Sequence, residues 1–397
     1  MYKYGLSIAD SVFSNRRDRI LSVLLILYIY MPYFWNICEH TLDMPSIVEY
    51  IALLFLGIVP FFIYHKISGR VLAFLGIFFL LIIINCAVVS YRYYVLVEGI
   101  QALIGVFVPC VIITNYYFSL DDFLNRWYLF AVYNIPLVVI AVLLLRLNLA
   151  HYSIFTGICV PNVFILSYGI MQMRINKKIA IVISLIYIMT TAALGGRMAA
   201  AVCMAMLILS FLFSSNISLV NKTIFVLIIL VIAYYLIEHF SSILLWASSL
   251  LNNYGIRSRS VTLMIKQLST RELYTTNRDT IYSLVFDYIK DRAGLPGGLG
   301  VALYLTSGKY YYVHNCILQL FVVFGVLGAF VVVFVITHRF VMLKSILPQN
   351  ALKLLGFMLI TYLIIGFTGS SFFIHYLATI FIALFFFGKK VLVEMEG

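Results

Sequence analysis

The chain has 397 residues, of which 64% are hydrophobic and 11% charged, whereas an ordinary soluble domain is nearer half apolar and a quarter charged. No water-soluble fold hides that much apolar surface, so the composition excludes a soluble globular protein and predicts one all-α polytopic membrane domain over residues 1–397. The formal charge of +12 does not point to nucleic acid, because basic residues gathered at the ends of apolar spans act as topology signals.

A bilayer core about 30 Å thick takes about 20 apolar residues per helical span. Spans are therefore expected near 20–38, 47–64, 71–89, 99–118, 127–147, 157–173, 179–194, 198–214, 223–238, 316–336, 351–367 and 372–388, about twelve in all. Residues 1–19 are polar and basic, and the run behind them lacks a small-residue cleavage site, so it is expected as a retained first helix. The six cysteines (Cys38, Cys86, Cys110, Cys159, Cys203, Cys316) lie in or beside apolar spans without any CxxC pair, which predicts packing residues.

Lys and Arg in the connections set the orientation. With a cytoplasmic amino terminus, the cytoplasmic side receives sixteen of them and the short outer connections only three, Arg92, Arg146 and Arg197. That bias places both termini inside. The remaining eight fall in residues 239–315, a large loop expected outside the membrane. Within it, Ile281, Leu284, Val285, Tyr288 and Ile289 recur at helical spacing, opposite Asp279, Ser283, Asp287 and Lys290, which predicts an amphipathic helix over 276–294. Thr276 and Asp279 read as a capping box, and Gly294 with Pro296 as its stop. A second amphipathic helix is expected near 259–269.

Arg278 falls in the first turn of the loop helix, where a cation opposes the helix dipole. Arg197 is placed alike, after Gly195-Gly196 and before Ala199, Ala200 and Ala201, small residues that allow close helix packing. A helix amino terminus offers free N–H donors, and an arginine adds a forked permanent cation suited to phosphate, so a diphosphate is the ligand these two would share. The alternative is a snorkelling Arg197 and a surface Arg278. Arg257 and Arg259 either join that anion site or belong to a solvated basic segment. His314, in Tyr310-Tyr311-Tyr312-Val313-His314-Asn315, is a candidate general base for a sugar hydroxyl, with Asn315 to fix the hydroxyl or the imidazole and Tyr312 to stack on a sugar. The alternative is an interfacial histidine in an aromatic belt.

Acidic residues are scarce. Asp121-Asp122 reads as a solvated turn, and Glu39 and Asp43 lack neighbours to complete an octahedral oxygen site, so no metal is expected. P-loop, HExxH and GxSxG motifs are absent, and a hydrolase with a paired-carboxylate or serine mechanism is disfavoured.

Gly195-Gly196-Arg197, then Arg278, then Gly298-Leu299-Gly300, then His314-Asn315 ahead of a span containing Gly325, resembles the O-antigen ligase and polymerase family of bacterial envelope enzymes over about residues 190–330. One departure is that Gly196 precedes the first arginine and Met198 follows it, where the family often has Ser-Arg-Gly. The resemblance implies a glycosyltransferase of the bacterial inner membrane that needs no cofactor and takes glycans from an undecaprenyl diphosphate carrier at the outer face. Arg197 and Arg278 would grip the diphosphate and His314 would serve the acceptor hydroxyl. The expected partners are the lipid-linked glycan, the bilayer and a chain-length regulator. A polymerase of lipid-linked repeat units is the expected activity, with the ligase that transfers finished polymer to lipid A core as nearest rival. A lipid-linked oligosaccharide flippase is the rival of another class.

Overall fold

The computed structural model describes residues 16–45, 47–64, 68–115, 118–172, 176–214, 217–256, 258–270, 278–310, 312–368 and 375–395. Helices account for all the regular structure among them. In chain order they are α1 (Arg16–Leu42), α2 (Ile47–Tyr64), α3 (Gly69–Val88), α4 (Arg92–Ile113), α5 (Leu120–Tyr133) and α6 (Ile135–Arg146). Then follow α7 (Ile154–Gln172), α8 (Lys177–Leu194), α9 (Arg197–Phe213), α10 (Leu219–Glu238), α11 (Phe240–Asn253) and α12 (Arg259–Thr270). The last are α13 (Arg278–Asp291), α14 (Val301–Leu305), α15 (Cys316–Lys344), α16 (Gln349–Thr368) and α17 (Tyr376–Ile382), a π-helical turn (Ala383–Phe387) and α18 (Lys389–Val393).

Seven helices among the described residues are long and apolar enough to cross a bilayer, or eight with α5 and α6 taken as one span bent by 50°. Four shorter apolar helices, within α2, α9 and α10 and across α17 with its π-turn, lie where the other expected spans fall. Large apolar side chains stand exposed along α3 and α15, such as Leu80, Ile83, Leu327 and Phe334. Lipid is the solvent that suits such faces, and the chain is a multi-pass membrane protein.

The chain forms two compact units, Met1–Ile29 with Ser46–Arg126 and Thr276–Gly397, and Tyr30–Pro45 with Trp127–Thr275. In the first, α4 is the hub, packed by α2, α3, α14, α17 and the π-turn. The helix α15 breaks at Gly325, whose φ of 71° and ψ of 174° lie outside helical space. A broken helix in lipid must find new partners for its freed backbone groups, and the loop before α14 supplies them. Gly297 and Gly298 N–H donate to the carbonyls of Val322 and Val323 at 2.8 and 2.9 Å, and Val326 N–H donates to the carbonyl of Gly294 at 2.9 Å. A Cβ on Gly325 would stand 2.7 Å from that carbonyl, so glycine is needed for both the turn and the approach.

In the second unit, α7 is buried along nearly its whole length and packs α6, α8 and α9. Its Gly157 lies so close to α1 that a Cβ would meet the Tyr33 nitrogen at 2.9 Å. Polar side chains buried here satisfy one another. Asn134, between α5 and α6, exchanges amide hydrogen bonds of 3.1 and 2.9 Å with Asn162, and the Tyr187 hydroxyl takes the Ala131 carbonyl at 2.7 Å. Trp127 Nε1 donates to Tyr30 at 3.2 Å, and the Tyr30 hydroxyl donates to Asn162 Oδ1.

The expected loop helices form at α12 and α13, while the turn from Thr276 lies outside the described residues. Ile281 and Val285 are buried as expected, whereas Leu284 is exposed. Within residues 239–315 two further helices appear, α11 and α14, for which no helical pattern is predicted.

Candidate functional site

The helix α13 presents Ile281 and Val285 to a buried cluster with Tyr91 and Val95 of α4, Leu299, Val301, Val313 and Val322. Arg278 opens α13 one turn before Ile281, and His314 follows Val313, so one apolar cluster anchors the neighbours of both candidate site residues. The Tyr282 hydroxyl donates to the backbone carbonyl of His314 at 3.2 Å. His314 has a φ of +60°, a left-handed conformation uncommon for a residue with a Cβ.

The His314 ring lies edge-on to Tyr312 at 4.4 Å and to Tyr310 at 5.8 Å between centroids. Its Nδ1 is buried and has no hydrogen-bond partner among the described residues. Burial, and then the positive charge of Arg278, lower its pKa from 6.5 to about 4, because both disfavour the imidazolium. The imidazole is therefore neutral near pH 7. Asn315 caps α15, its Oδ1 accepting from the N–H groups of Ile317 and Leu318 at 3.0 and 3.2 Å. Capping uses the acceptor end of that amide, so the role expected of Asn315 toward a hydroxyl falls to its amide nitrogen.

A residue that the sequence reading passed over holds the glycine loop to α4. Glu98 is 1% exposed, and its carboxylate accepts the N–H of Gly300. Gly300 has a φ of +75°, and a Cβ there would collide with the backbone of Tyr94 and Val95. Tyr91 adds to the same clamp, its hydroxyl donating to the carbonyl of Gly297 and its ring stacked on Tyr304 at 4.4 Å. The expected span of 99–118 starts one residue past Glu98, whereas α4 begins at Arg92 and takes it in. A lone acid in an apolar span is a functional signal by default, and Glu98 was legible on that ground.

In the second unit, Arg197 is the first residue of α9 after the cap Gly196, and its Nη1 donates to Gln267 Oε1 of α12 at 2.7 Å. The start of α12 is pinned to the end of α8 by Ser258, whose hydroxyl donates to the Ala193 carbonyl at 2.5 Å, and by Ser260, which donates to the Gly195 carbonyl. Arg259 is exposed, its guanidinium carbon 5.1 Å from the ring centre of Tyr152 and its Nη1 3.4 Å from that hydroxyl. Arg257 lies outside the described residues. Arg278, Tyr312, His314 and Asn315 thus belong to the first unit, Arg197 and Arg259 to the second. Among the described residues no group of three or more His, Cys, Asp or Glu is placed to hold a metal ion.

The fold and these residues define an all-α multi-pass membrane protein. Comparison with protein-family models, with curated proteins and with solved structures found no match.

Proposed function

We propose that the chain is a membrane glycosyltransferase that joins undecaprenyl-diphosphate-linked oligosaccharide repeat units into O-antigen or capsular polysaccharide, without metal or cofactor. In this reading it sits in the bacterial inner membrane with twelve spans, both termini cytoplasmic and residues 239–315 on the outer side. The observation that carries it is the neutral, half-buried His314 just ahead of α15, lowered in pKa by burial and then by the charge of Arg278, with its carbonyl held by Tyr282 of the Arg278 helix.

The chemistry needs few parts. A sugar hydroxyl of the acceptor attacks the anomeric carbon of the donor, the bond from that carbon to the phosphate oxygen breaks, and the diphosphate leaves with the electron pair. Arg278, with its forked donors, stabilises the departing charge. The hydroxyl proton goes to His314. An imidazole depressed to about 4 is a weak base, but a bound diphosphate offsets the Arg278 charge and raises its affinity for a proton. The donor thereby prepares the base for its own transfer.

Transport of the same lipid-linked glycan is the second reading, favoured by the broken helices and by the buried Glu98, as in transporters with discontinuous helices. Glu98 stands six residues into the 22-residue α4, about 9 Å from its start and well short of the midpoint. The backbone groups freed at Gly325 are taken by Gly294, Gly297 and Gly298. Neither feature offers an open midplane site, so transfer is the better reading.

Purified protein in proteoliposomes with lipid-linked repeat units should yield longer chains with release of undecaprenyl diphosphate. Glycan that reaches the other leaflet with no new bond would replace this reading with transport. Transfer only to added lipid A core would replace it with ligation.

A further inference from the structure

We infer that His40, His151, Tyr152 and Arg259 form a carbohydrate subsite that takes a sugar bearing a carboxylate. The inference rests on the reading of the chain as an enzyme of lipid-linked glycans, and it names the class of glycan.

The four side chains make a continuous shelf within the second unit. The imidazoles of His40, near the end of α1, and His151, before α7, lie stacked with centroids 5.8 Å apart and 15° between planes. The His151 and Tyr152 rings are 4.0 Å apart and tilted by 48°, and Arg259 lies over Tyr152 at 5.1 Å. Asn36 holds the arrangement, its Oδ1 accepting from the His151 N–H at 3.1 Å and its Nδ2 donating to Ser153 Oγ at 2.8 Å. His151 Nδ1 faces Ser153 Oγ at 3.0 Å, and His40 Nδ1 faces the Asn36 carbonyl at 3.0 Å. With both Nδ1 atoms turned inward, each ring has its Nε2 edge left for a ligand.

The charge on this shelf is one-sided. Arg259 has no carboxylate within ion-pair distance among the described residues. The exposed Glu39 lies 4.0 Å from His40. Burial, then His40, then Arg259 lower the pKa of His151, which favours its neutral ring beside the permanent cation of Arg259. A sugar lays its C–H face on such rings by apolar contact. A guanidinium that already stacks on an aromatic ring presents its fork edge-on to a carboxylate. A plain phosphate needs the cation but gains nothing from the neighbouring rings.

The placement fits a lipid-linked chain. Gln267, which holds Arg197, lies eight residues beyond Arg259 on α12, about 12 Å along the helix. A donor with its diphosphate at Arg197 would lay its glycan along α12 toward the shelf.

The test is equilibrium binding to the purified full chain in zwitterionic nanodiscs, with trigalacturonate and its carboxyl-reduced neutral counterpart as probes. The acidic trisaccharide should bind about tenfold tighter or better, the worth of one charge-assisted contact. Arg259→Ala should abolish that preference, Arg259→Lys should keep part of it, and His151→Ala should weaken both probes alike. Equal affinity for the two sugars, no binding of either, or a preference that survives Arg259→Ala would overturn the subsite. So would competition by inorganic phosphate, or by phosphatidylglycerol in the disc, at the potency of the trisaccharide, since a simple anion site would then suffice. Binding is read without turnover, so an intact acidic preference in a protein that transfers no glycan would remove the polymerase reading and leave the subsite standing.

Discussion

The hydroxyl of Tyr282 donates to the main-chain carbonyl of His314 at 3.2 Å, tying the helix that begins with Arg278 to a histidine held in left-handed backbone geometry. Both ends of that bond sit on one apolar cluster, since Ile281 and Val313 are buried together. Tyr282→Phe keeps the ring and deletes the bond, worth about 1 kcal/mol net. Polymer formation should fall by up to about tenfold in kcat, with KM for the lipid-linked unit little changed, because a loosened His314 affects transfer more than donor binding. An effect confined to KM would show that the bond does not position the histidine.

In the proposed reaction Arg278 would grip the leaving group, and its charge depresses the pKa of His314. Arg278→Ala and His314→Ala should each abolish polymer while the protein remains in the membrane. Arg278→Lys should rescue only in part, because a point charge replaces a fork. Removal of the guanidinium should also raise the pKa of His314, which labelled-histidine NMR can follow. A His314 value unchanged in Arg278→Ala would separate the two residues.

The pH dependence has a defined sign. The fold lowers the His314 pKa from 6.5 to about 4, so as pH falls the unfolded chain takes up this proton first. The stability that His314 contributes is therefore complete above about pH 6.5 and is lost as the pH drops toward 4. Melting temperature should decline more steeply over that window in the native protein than in His314→Gln. For activity, the acid limb of kcat should lie at higher pH than that of kcat/KM, since bound diphosphate offsets Arg278 only in the complex. Coincident limbs would remove substrate-assisted activation of the base.

The glycine interlock predicts large stability effects far from any chemistry. Gly325→Ala forces a Cβ to 2.7 Å from the Gly294 carbonyl at a φ of 71°, which costs about 1–2 kcal/mol for the backbone alone, with the clash in addition. Glu98→Ala leaves the Gly300 N–H buried without its acceptor, about 1–3 kcal/mol, whereas Glu98→Gln keeps an acceptor and should be milder. Thermal unfolding in detergent should rank the variants with Glu98→Gln nearest the native protein. If Glu98→Ala melted like Glu98→Gln, the carboxylate would not be the clamp.

Much of the scaffold was legible because lipid imposes a local code. Apolar runs mark where the long helices lie, although α4 begins at Arg92 against an expected 99 and α15 runs to Lys344 against an expected 336, and the spacing of Ile281, Val285 and Tyr288 marks the buried face of α13. Leu284 fits the same spacing but is exposed, because a helical stripe has an edge and only packing decides which residue falls there. Among the candidate site residues, Arg278 and His314 stand on elements anchored by one apolar cluster, a relation that no local pattern in the sequence carries. The second role of Asn315, as a cap, is also written locally, since it directly precedes an apolar run.

The sequence by itself determined the solvent, most of the helices and the residue types available for chemistry, since each depends on composition or on neighbours within one or two helical turns. Only the tertiary structure decided that Glu98 meets Gly300, that the glycines before α14 close the break at Gly325, and that His40 stacks on His151. Those pairs are 202, about 30 and 111 residues apart. Local periodicity carries no information over such separations; only burial of the shared faces, with partners found for every backbone group freed in lipid, selects them.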